Sequence, residues 1–213
     1  YSSVAIGYQA GYSNTSGYVN TLVGYQAGYS NTTVPGFTAI GNGAGKNYNP
    51  SSDVWVSTFV GNGSGGATTT GTANAFMGGA SGNANTTGSS NAAFGAGALF
   101  SNTTGYNHTA IGYQAMYSST IGYRNTAVGY QAGYSITDGT GQVAMGDRAL
   151  YSNTGNFNTA LGSLALYSNT TGTSHVAVGY QAGYTNSTAN YNTAIGVQAL
   201  YNNNGNGNTA VGY

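Results

Sequence analysis

The sequence lacks several residue types on which most biochemical activities depend. Its 213 residues include no cysteine and no glutamate, and three Lys and Arg are balanced by three aspartates. Disulfide and thiolate chemistry are therefore excluded. With no basic excess, we expect no electrostatic binding to nucleic acid or to an anionic membrane. No apolar run approaches the roughly 18–20 residues that span a bilayer, so we expect no membrane insertion by this segment.

The scarcity of ionisable side chains also argues against catalysis. The three aspartates and the two histidines, His108 and His175, form neither a paired carboxylate nor a nucleophile–base pair at a useful spacing. The glycine-rich stretch 61–66 lacks the lysine and the following helix of a phosphate-binding loop. We therefore predict no enzymatic activity, no cofactor and no metal site, and we expect a structural or binding role.

One repeated phrase fills the chain instead. Asn-Thr-Ala-(Val/Ile)-Gly and its variants recur at intervals of 17 residues, with one interval of 20 and two of 16. The closing glycines are Gly7, Gly24, Gly41, Gly61, Gly78, Gly95, Gly112, Gly129, Gly146, Gly162, Gly179, Gly196 and Gly212. A fixed period of this length is the signature of a repeat architecture. We predict a single array over 1–213, with an enlarged coil at 42–60.

Each unit is numbered from its closing glycine, which is position 0. Positions 13–16 (Asn-Thr-Ala-Val/Ile) and positions 2–5 (Gln-Ala-Gly/Leu-Tyr) are predicted to be extended, with a Ser-Asn-Thr-Thr-Gly turn between them. The unit is too short for a βαβ crossover and has no helical apolar spacing. The predicted fold is an all-β parallel β-solenoid of about 17 residues per coil and 12–13 coils. At about 4.8 Å per coil, the rod is roughly 58 Å long.

Alternation along a strand determines which side chains point inward. A flattened coil has almost no interior, so the alanines of positions 15 and 3 are expected inside and the larger residues of position 16 outside. An exposed apolar stripe of this length needs a partner, and a second copy of the chain is automatically in register. The alternative places the stripe inside and leaves the chain monomeric. This assembly stripe comprises Ile6, Val23, Ile40, Val60, Ile111, Val128, Val178, Ile195 and Val211, with Met77, Phe94, Met145 and Leu161 in the same column.

The repeats resemble a known family. Ser3-Val4-Ala5-Ile6-Gly7 and Asn125-Thr126-Ala127-Val128-Gly129 are similar to the head repeats of YadA-like trimeric autotransporter adhesins, which run (Ser/Asn)-x-Ala-(Ile/Val)-Gly. The longer phrase that continues into Tyr-Gln-Ala-Leu-Tyr-Ser-Asn-Thr also resembles repeats of bacterial and phage tail-fibre proteins. The resemblance implies a left-handed β-roll, a homotrimer, and a location outside the cell, at its surface or on a virion. The period of 17 is longer than that of the adhesin repeats.

Three further residue types recur in columns. Tyrosines at positions 1 and 5 are predicted to stack into ladders that stiffen the rod, the alternative being a carbohydrate-binding face. Asparagines at positions 7 and 13 indicate amide ladders or turns, and eight Asn-x-Ser/Thr triplets match glycosylation acceptors. His108 and His175 replace asparagine at position 13 and are predicted to be solvated. A metal or anion ring on a three-fold axis is the alternative.

The enlarged coil breaks the pattern and holds the only tryptophan. Insertions in repeat arrays often lie on the binding face. Lys46, Tyr48, Asp53 and Trp55 are therefore a candidate binding loop for a surface glycan or a host receptor. The alternative is a drifted repeat with a harmless bulge.

Together these patterns predict the shaft or head of an extracellular fibre that serves surface attachment, as in an adhesin. The chain starts and stops within a unit and has no cap, so we interpret it as a section of a longer fibre. A phage tail-fibre shaft is one alternative. An ice-binding solenoid is another, because position 14 supplies a threonine column that Val4, Ala75, Ala92, Val143 and Val176 interrupt. The column comprises Thr21, Thr38, Thr58, Thr109, Thr126, Thr159, Thr193 and Thr209.

Overall fold

The computed structural model describes residues 2–51 and 56–213. Its regular structure consists of thirteen three-residue strands, one per repeat unit, and the described residues contain no helix. The strands are β1 Val4–Ile6, β2 Thr21–Val23, β3 Thr38–Ile40, β4 Thr58–Val60, β5 Ala75–Met77, β6 Ala92–Phe94, β7 Thr109–Ile111, β8 Thr126–Val128, β9 Val143–Met145, β10 Thr159–Leu161, β11 Val176–Val178, β12 Thr193–Ile195 and β13 Thr209–Val211.

The strands form a single parallel sheet in chain order from β1 to β13. Neighbouring strands pair residues of the same position, so that Ala127 of β8 lies opposite Ala144 of β9 and Val128 lies opposite Met145. The three-residue insertion does not disturb this register, since Thr38 of β3 pairs with Thr58 of β4. This architecture confirms the predicted parallel β-solenoid, with about 12 turns of about 17 residues.

The prediction that positions 2–5 form a second extended segment is wrong. This segment is a series of turns in which positions 2 and 4 have positive φ, for example Gln131 at 49° and Gly133 at 60°. Its amides bond alternately within the coil and between coils: the Ala132 N–H donates to the Gly129 carbonyl at 3.3 Å and the Gly133 N–H to the Ala149 carbonyl at 2.8 Å. The left-handed conformation costs roughly 1–2 kcal/mol for residues other than glycine, and the bonds between coils offset that cost.

The landmark glycines form the corner after each strand. Gly129 has a φ of 136°, and a Cβ built on it would lie 2.6 Å from the Gly146 carbonyl oxygen of the next coil. From Gly7 to Gly196, every landmark glycine makes this close approach to the next landmark glycine. The predicted need for glycine at the corner is confirmed, because both the dihedral angle and the available space exclude a side chain.

The interior is one side chain wide and is lined by alanine. Ala127 at position 15 and Ala132 at position 3 are completely buried, as are most members of their columns. Phe59 and Phe76 are larger buried residues at position 15, while Leu99 and Leu150 are larger buried residues at position 4. The predicted alanine interior is therefore confirmed, with bulkier side chains entering it from one side or the other.

Candidate functional site

The assembly stripe lies on the outer surface of the sheet. In β7 and β9 the central alanines are completely buried, whereas Ile111 is 42% exposed and Met145 is 43% exposed. The same alternation of a buried centre and an outward third residue recurs from β2 to β12. The predicted orientation is confirmed, and the alternative that placed the stripe inside is wrong.

Two further columns border the stripe. Thr126 and the other residues of position 14 point to the same side of the sheet and most are half-buried. Across the corner, the tyrosines of position 1 stand at the surface, including Tyr113, Tyr130 and Tyr180. Positions 14 and 16 contain no charged residue in any unit. The strand face is therefore a long, uncharged surface of aliphatic and hydroxyl side chains.

Buried asparagines at position 13 hold successive coils at a fixed distance. Asn125 accepts a hydrogen bond from the Gln142 N–H at 2.9 Å and donates one to the Gly139 carbonyl at 2.6 Å, and both partners belong to the next coil. Asn91 does the same with the N–H of His108 and the carbonyl of Gly105. At position 13 the amides thus bond backbone groups that would otherwise be unsatisfied inside the rod. The predicted ladder of amide bonded to amide is found at position 7, where Asn102 donates to the Asn85 side-chain oxygen at 2.7 Å.

Most asparagines of position 7 are also buried, which bears on the glycosylation triplets. Asn31, Asn85, Asn102 and Asn169 are completely buried. Asn102, for example, donates to the Gly105 carbonyl at 3.1 Å. A glycan cannot be carried on these side chains in the folded chain, so the triplets at these positions reflect the turn and not a modification signal.

The two histidines are buried, and the prediction that they are solvated is wrong. Nδ1 of His175 accepts a hydrogen bond from the Asn192 N–H at 3.1 Å, and Nε2 lies 2.6 Å from the Ala189 carbonyl. The imidazole thus makes the two bonds to the next coil that an asparagine amide makes elsewhere. Desolvation lowers the pKa of His108 to about 4 and also lowers the pKa of His175. The described residues contain no group of three or more potential metal-binding His, Cys, Asp or Glu.

The tyrosine ladders are present. At position 5 the rings of Tyr117 and Tyr134 lie 5.3 Å apart with planes 4° from parallel. At position 1 the rings of Tyr113 and Tyr130 lie 5.5 Å apart. These stacked pairs confirm the predicted in-line stacking. In each pair the ring faces are turned toward one another.

A glutamine ladder at position 2 was missed by the sequence analysis. The Gln131 side-chain amide donates to the Gln114 side-chain oxygen at 2.8 Å, and the same bond joins Gln26 to Gln9. The recurrence of glutamine at one position of the 17-residue period was the available signal.

The candidate binding loop is only partly supported. Lys46 is exposed, but Tyr48 is completely buried, its hydroxyl accepting a hydrogen bond from the Ser57 N–H at 3.2 Å. Tyr48 occupies position 7, the buried asparagine position, and therefore points into the coil. Its predicted place on an exposed loop is wrong. Asp53 and Trp55 lie outside the described residues, and their role stays a prediction.

Neither a pocket nor a membrane-crossing helix is found in the part of the chain that the structure describes. No family model, curated protein or solved structure matches the chain. The strand face is therefore the candidate functional surface with the most extensive support from the geometry.

Proposed function

We propose that this chain is a structural shaft or head segment of an extracellular fibre, built from identical chains that associate through the assembly stripe. The observation that supports the proposal is the outward position of the apolar side chains at position 16, on thirteen strands in register. Surface attachment is the role we assign to the fibre, and no catalytic role is part of the proposal.

The size of the strand face suits a stable interface. Thirteen strands at about 4.8 Å give a length of about 58 Å, and two outward columns of about 6.6 Å each give an area of about 750 Å². This value is close to the roughly 800 Å² that each partner contributes to a standard interface.

A second copy of the same chain is the partner that fits this face best. Its stripe has the same repeat distance, so each aliphatic side chain meets an equivalent neighbour along the whole rod. No charge on either face has to be matched or desolvated. The trimeric state and the left-handed sense implied by the family resemblance belong to this proposal.

The test is the mass of the particle in solution. Light scattering on the parent chain is expected to give a trimer, and Val128→Asp is expected to give a folded monomer, because three unpaired carboxylates near one axis cost roughly several kcal/mol each. Thr171→Asp places the same charge on an exposed turn and is expected to leave the trimer intact. A monomeric parent, or an unchanged particle mass in Val128→Asp, would contradict the proposal.

Ice binding is a second candidate that one observation favours. The threonine column and the aliphatic column lie side by side on a single regular sheet face, with Thr126 and Val128 as an example. Thermal hysteresis of the soluble chain, abolished by Thr126→Asp, would support this function over assembly. A trimer without thermal hysteresis would contradict it. The phage tail-fibre alternative shares the proposed assembly and differs in what the fibre is attached to.

A further inference from the structure

An unbroken column of stacked aromatic rings runs along the second half of the solenoid. Neighbouring ring centroids are 4.9–5.3 Å apart and their planes lie within 16° of parallel. These distances fall in the range of about 4.5–7 Å for aromatic pairs in contact. The members are the position 5 residues of seven consecutive coils: Phe100, Tyr117, Tyr134, Tyr151, Tyr167, Tyr184 and Tyr201. The six tyrosines of this column are called the tyrosine ladder.

The tyrosines of the ladder are within reach of solvent. Each is half-buried, in contrast to Tyr48, which is completely buried and hydrogen-bonded. Desolvation and the neighbouring hydroxyls of Tyr151 and Tyr117 raise the pKa of Tyr134. The phenol is therefore protonated at neutral pH, so its one-electron oxidation releases a proton.

We propose that the tyrosine ladder is a site of oxidative cross-linking, where adjacent tyrosines are joined into dityrosine bridges between consecutive coils. The oxidant is hydrogen peroxide, and a haem peroxidase catalyses the oxidation. Each phenol loses one electron and one proton, and two phenoxyl radicals form a bond between ring carbons ortho to the oxygens. The hydrogen on each of these carbons then moves to the oxygen. Two tyrosines and one hydrogen peroxide thus give one dityrosine and two water molecules.

The arrangement favours bonds within one chain over bonds between chains. Stacking holds each ring beside its neighbour before oxidation, which replaces a chance encounter by a high effective concentration. A radical on Tyr134 has a tyrosine on either side, at 5.3 Å and 5.1 Å between centroids. Each bridge closes a loop of about one coil. Like a disulfide, it restricts the unfolded chain and strengthens the rod.

Trypsin makes this proposal testable because Lys46, Arg124 and Arg148 are the only cleavage sites. Tyr134 and Tyr151 lie on opposite sides of Arg148. The full chain is treated at high dilution with peroxidase and hydrogen peroxide, then denatured and digested. We expect the fragments 125–148 and 149–213 to stay covalently joined, with dityrosine fluorescence and a mass below the sum of the two by two hydrogens for each bridge formed.

Tyr151→Phe is the matched variant, since Phe100 shows that phenylalanine fits this column. It is expected to abolish the link across Arg148 and to keep a link across Arg124, which the stacked pairs Tyr117–Tyr134 and Tyr113–Tyr130 both span. The proposal is overturned if the link across Arg148 survives in Tyr151→Phe. It is also overturned if chain unfolded in urea gives the same link in the same yield, or if only bonds between chains form. The parent chain and Tyr151→Phe can be compared whatever the oligomeric state, so the result is separate from that of the fibre proposal.

Discussion

The two halves of the solenoid fill the same narrow interior from opposite sides. In coils between Leu22 and Gly82, bulky side chains enter from position 15 of the strand, and the turn position six residues later is glycine, as in Phe76 and Gly82. In most coils after Ala93 the strand residue is alanine and the turn supplies leucine or methionine, as in Ala144 and Leu150. Each pair thus contains one large and one small residue.

The exceptions follow the same rule of constant volume. Ala39 is followed by Gly45, and the space is filled by Phe37 and Phe59, which would lie 2.5 Å and 2.6 Å from a Cβ on that glycine. Ala127 is followed by Gly133, where Ile136 occupies the space, and Ala177 is followed by Gly183, where Leu166 of the preceding coil would lie 2.9 Å from a Cβ. Close packing of the interior therefore constrains the combined side-chain volume of positions 15 and 4. It does not constrain the volume at either position alone.

The position of the aromatic residues differs between the middle coils and the second half. From Gly41 to Ala96 no tyrosine occupies position 1 or position 5, and the aromatic residues Phe37, Tyr48, Phe59 and Phe76 lie inside. After Phe100 the aromatic ladder is outside and the interior is aliphatic. Aromatic residues of neighbouring coils can therefore stack either inside or outside the solenoid without changing the register of the strands.

Exchanging the large and small members of one pair should have the largest effect. Phe76→Ala is expected to cost about 3–5 kcal/mol of unfolding free energy, because it leaves a cavity. Gly82→Leu alone is also expected to destabilise, since its side chain would meet the Phe76 ring. The double variant recreates the pairing of Ala144 with Leu150 and should recover most of the loss. Denaturant unfolding of all four chains measures the coupling, and additive losses would contradict the rule of constant volume.

Acid should weaken the second half selectively, because both histidines lie there. A folded pKa of about 4 for His108, below the usual value of 6.5, means that the unfolded chain binds the additional proton between these values. The stabilisation is complete above pH 6.5 and falls as the pH drops toward 4, by about 3 kcal/mol. Hydrogen exchange should show this loss in the coils around His108 and His175.

The matched control for the acid effect replaces both histidines by asparagine. Asn91 and Asn125 already occupy position 13 in the coils next to His108 and make the same bonds to the following coil. His108→Asn with His175→Asn should therefore fold and should flatten the pH profile between 4 and 6.5. An unchanged profile would assign the acid sensitivity to other groups.

The corner glycines should be equally sensitive in both halves, because the close approach is the same. Gly129→Val is expected to cost about 1–3 kcal/mol through its φ of 136° and a further amount through the clash with the Gly146 carbonyl. Gly212 has a φ of 127° but no neighbouring atom within 4 Å of its Cβ position. The loss of thermal stability in Gly212→Val thus measures the cost of the positive φ without the clash. Equal losses at both positions would show that the clash contributes nothing.

Much of this structure could be predicted because each feature repeats in every unit. The period located the strands, the alternation of Thr126, Ala127 and Val128 gave the outward stripe, and the invariant glycine gave the corner. The conformation of positions 2–5 could not be predicted in the same way. Gln131 adopts positive φ against its local preference, and the hydrogen bonds that stabilise it come from neighbouring coils.

Three side chains lie elsewhere than the sequence predicts. His108 and His175 are predicted to be solvated replacements of asparagine, and Tyr48 is predicted on an exposed loop because insertions in repeat arrays often lie on the binding face. All three lie at positions that hold an inward polar side chain in most coils, and the histidine Nδ1 atoms and the Tyr48 hydroxyl accept hydrogen bonds from backbone N–H groups inside the rod. The position within the repeat was the better guide than the residue type. The outward stripe, in contrast, gave no such conflict, because position and residue type agree there.

The smallest predicted effect concerns the aromatic ladder of the second half. Tyr151 stacks on Tyr134 at 5.1 Å and on Tyr167 at 5.2 Å, whereas among the described residues Tyr12 in the first half stacks on Tyr29 alone. At about 0.5–1.5 kcal/mol per contact, Tyr151→Ala should lower the unfolding free energy about twice as much as Tyr12→Ala. Tyr151→Phe keeps both ring contacts and should behave as the parent in denaturant unfolding. Equal losses for the alanine and phenylalanine variants would assign the effect to the hydroxyl, and equal losses for the two alanine variants would show that the length of the stack contributes nothing.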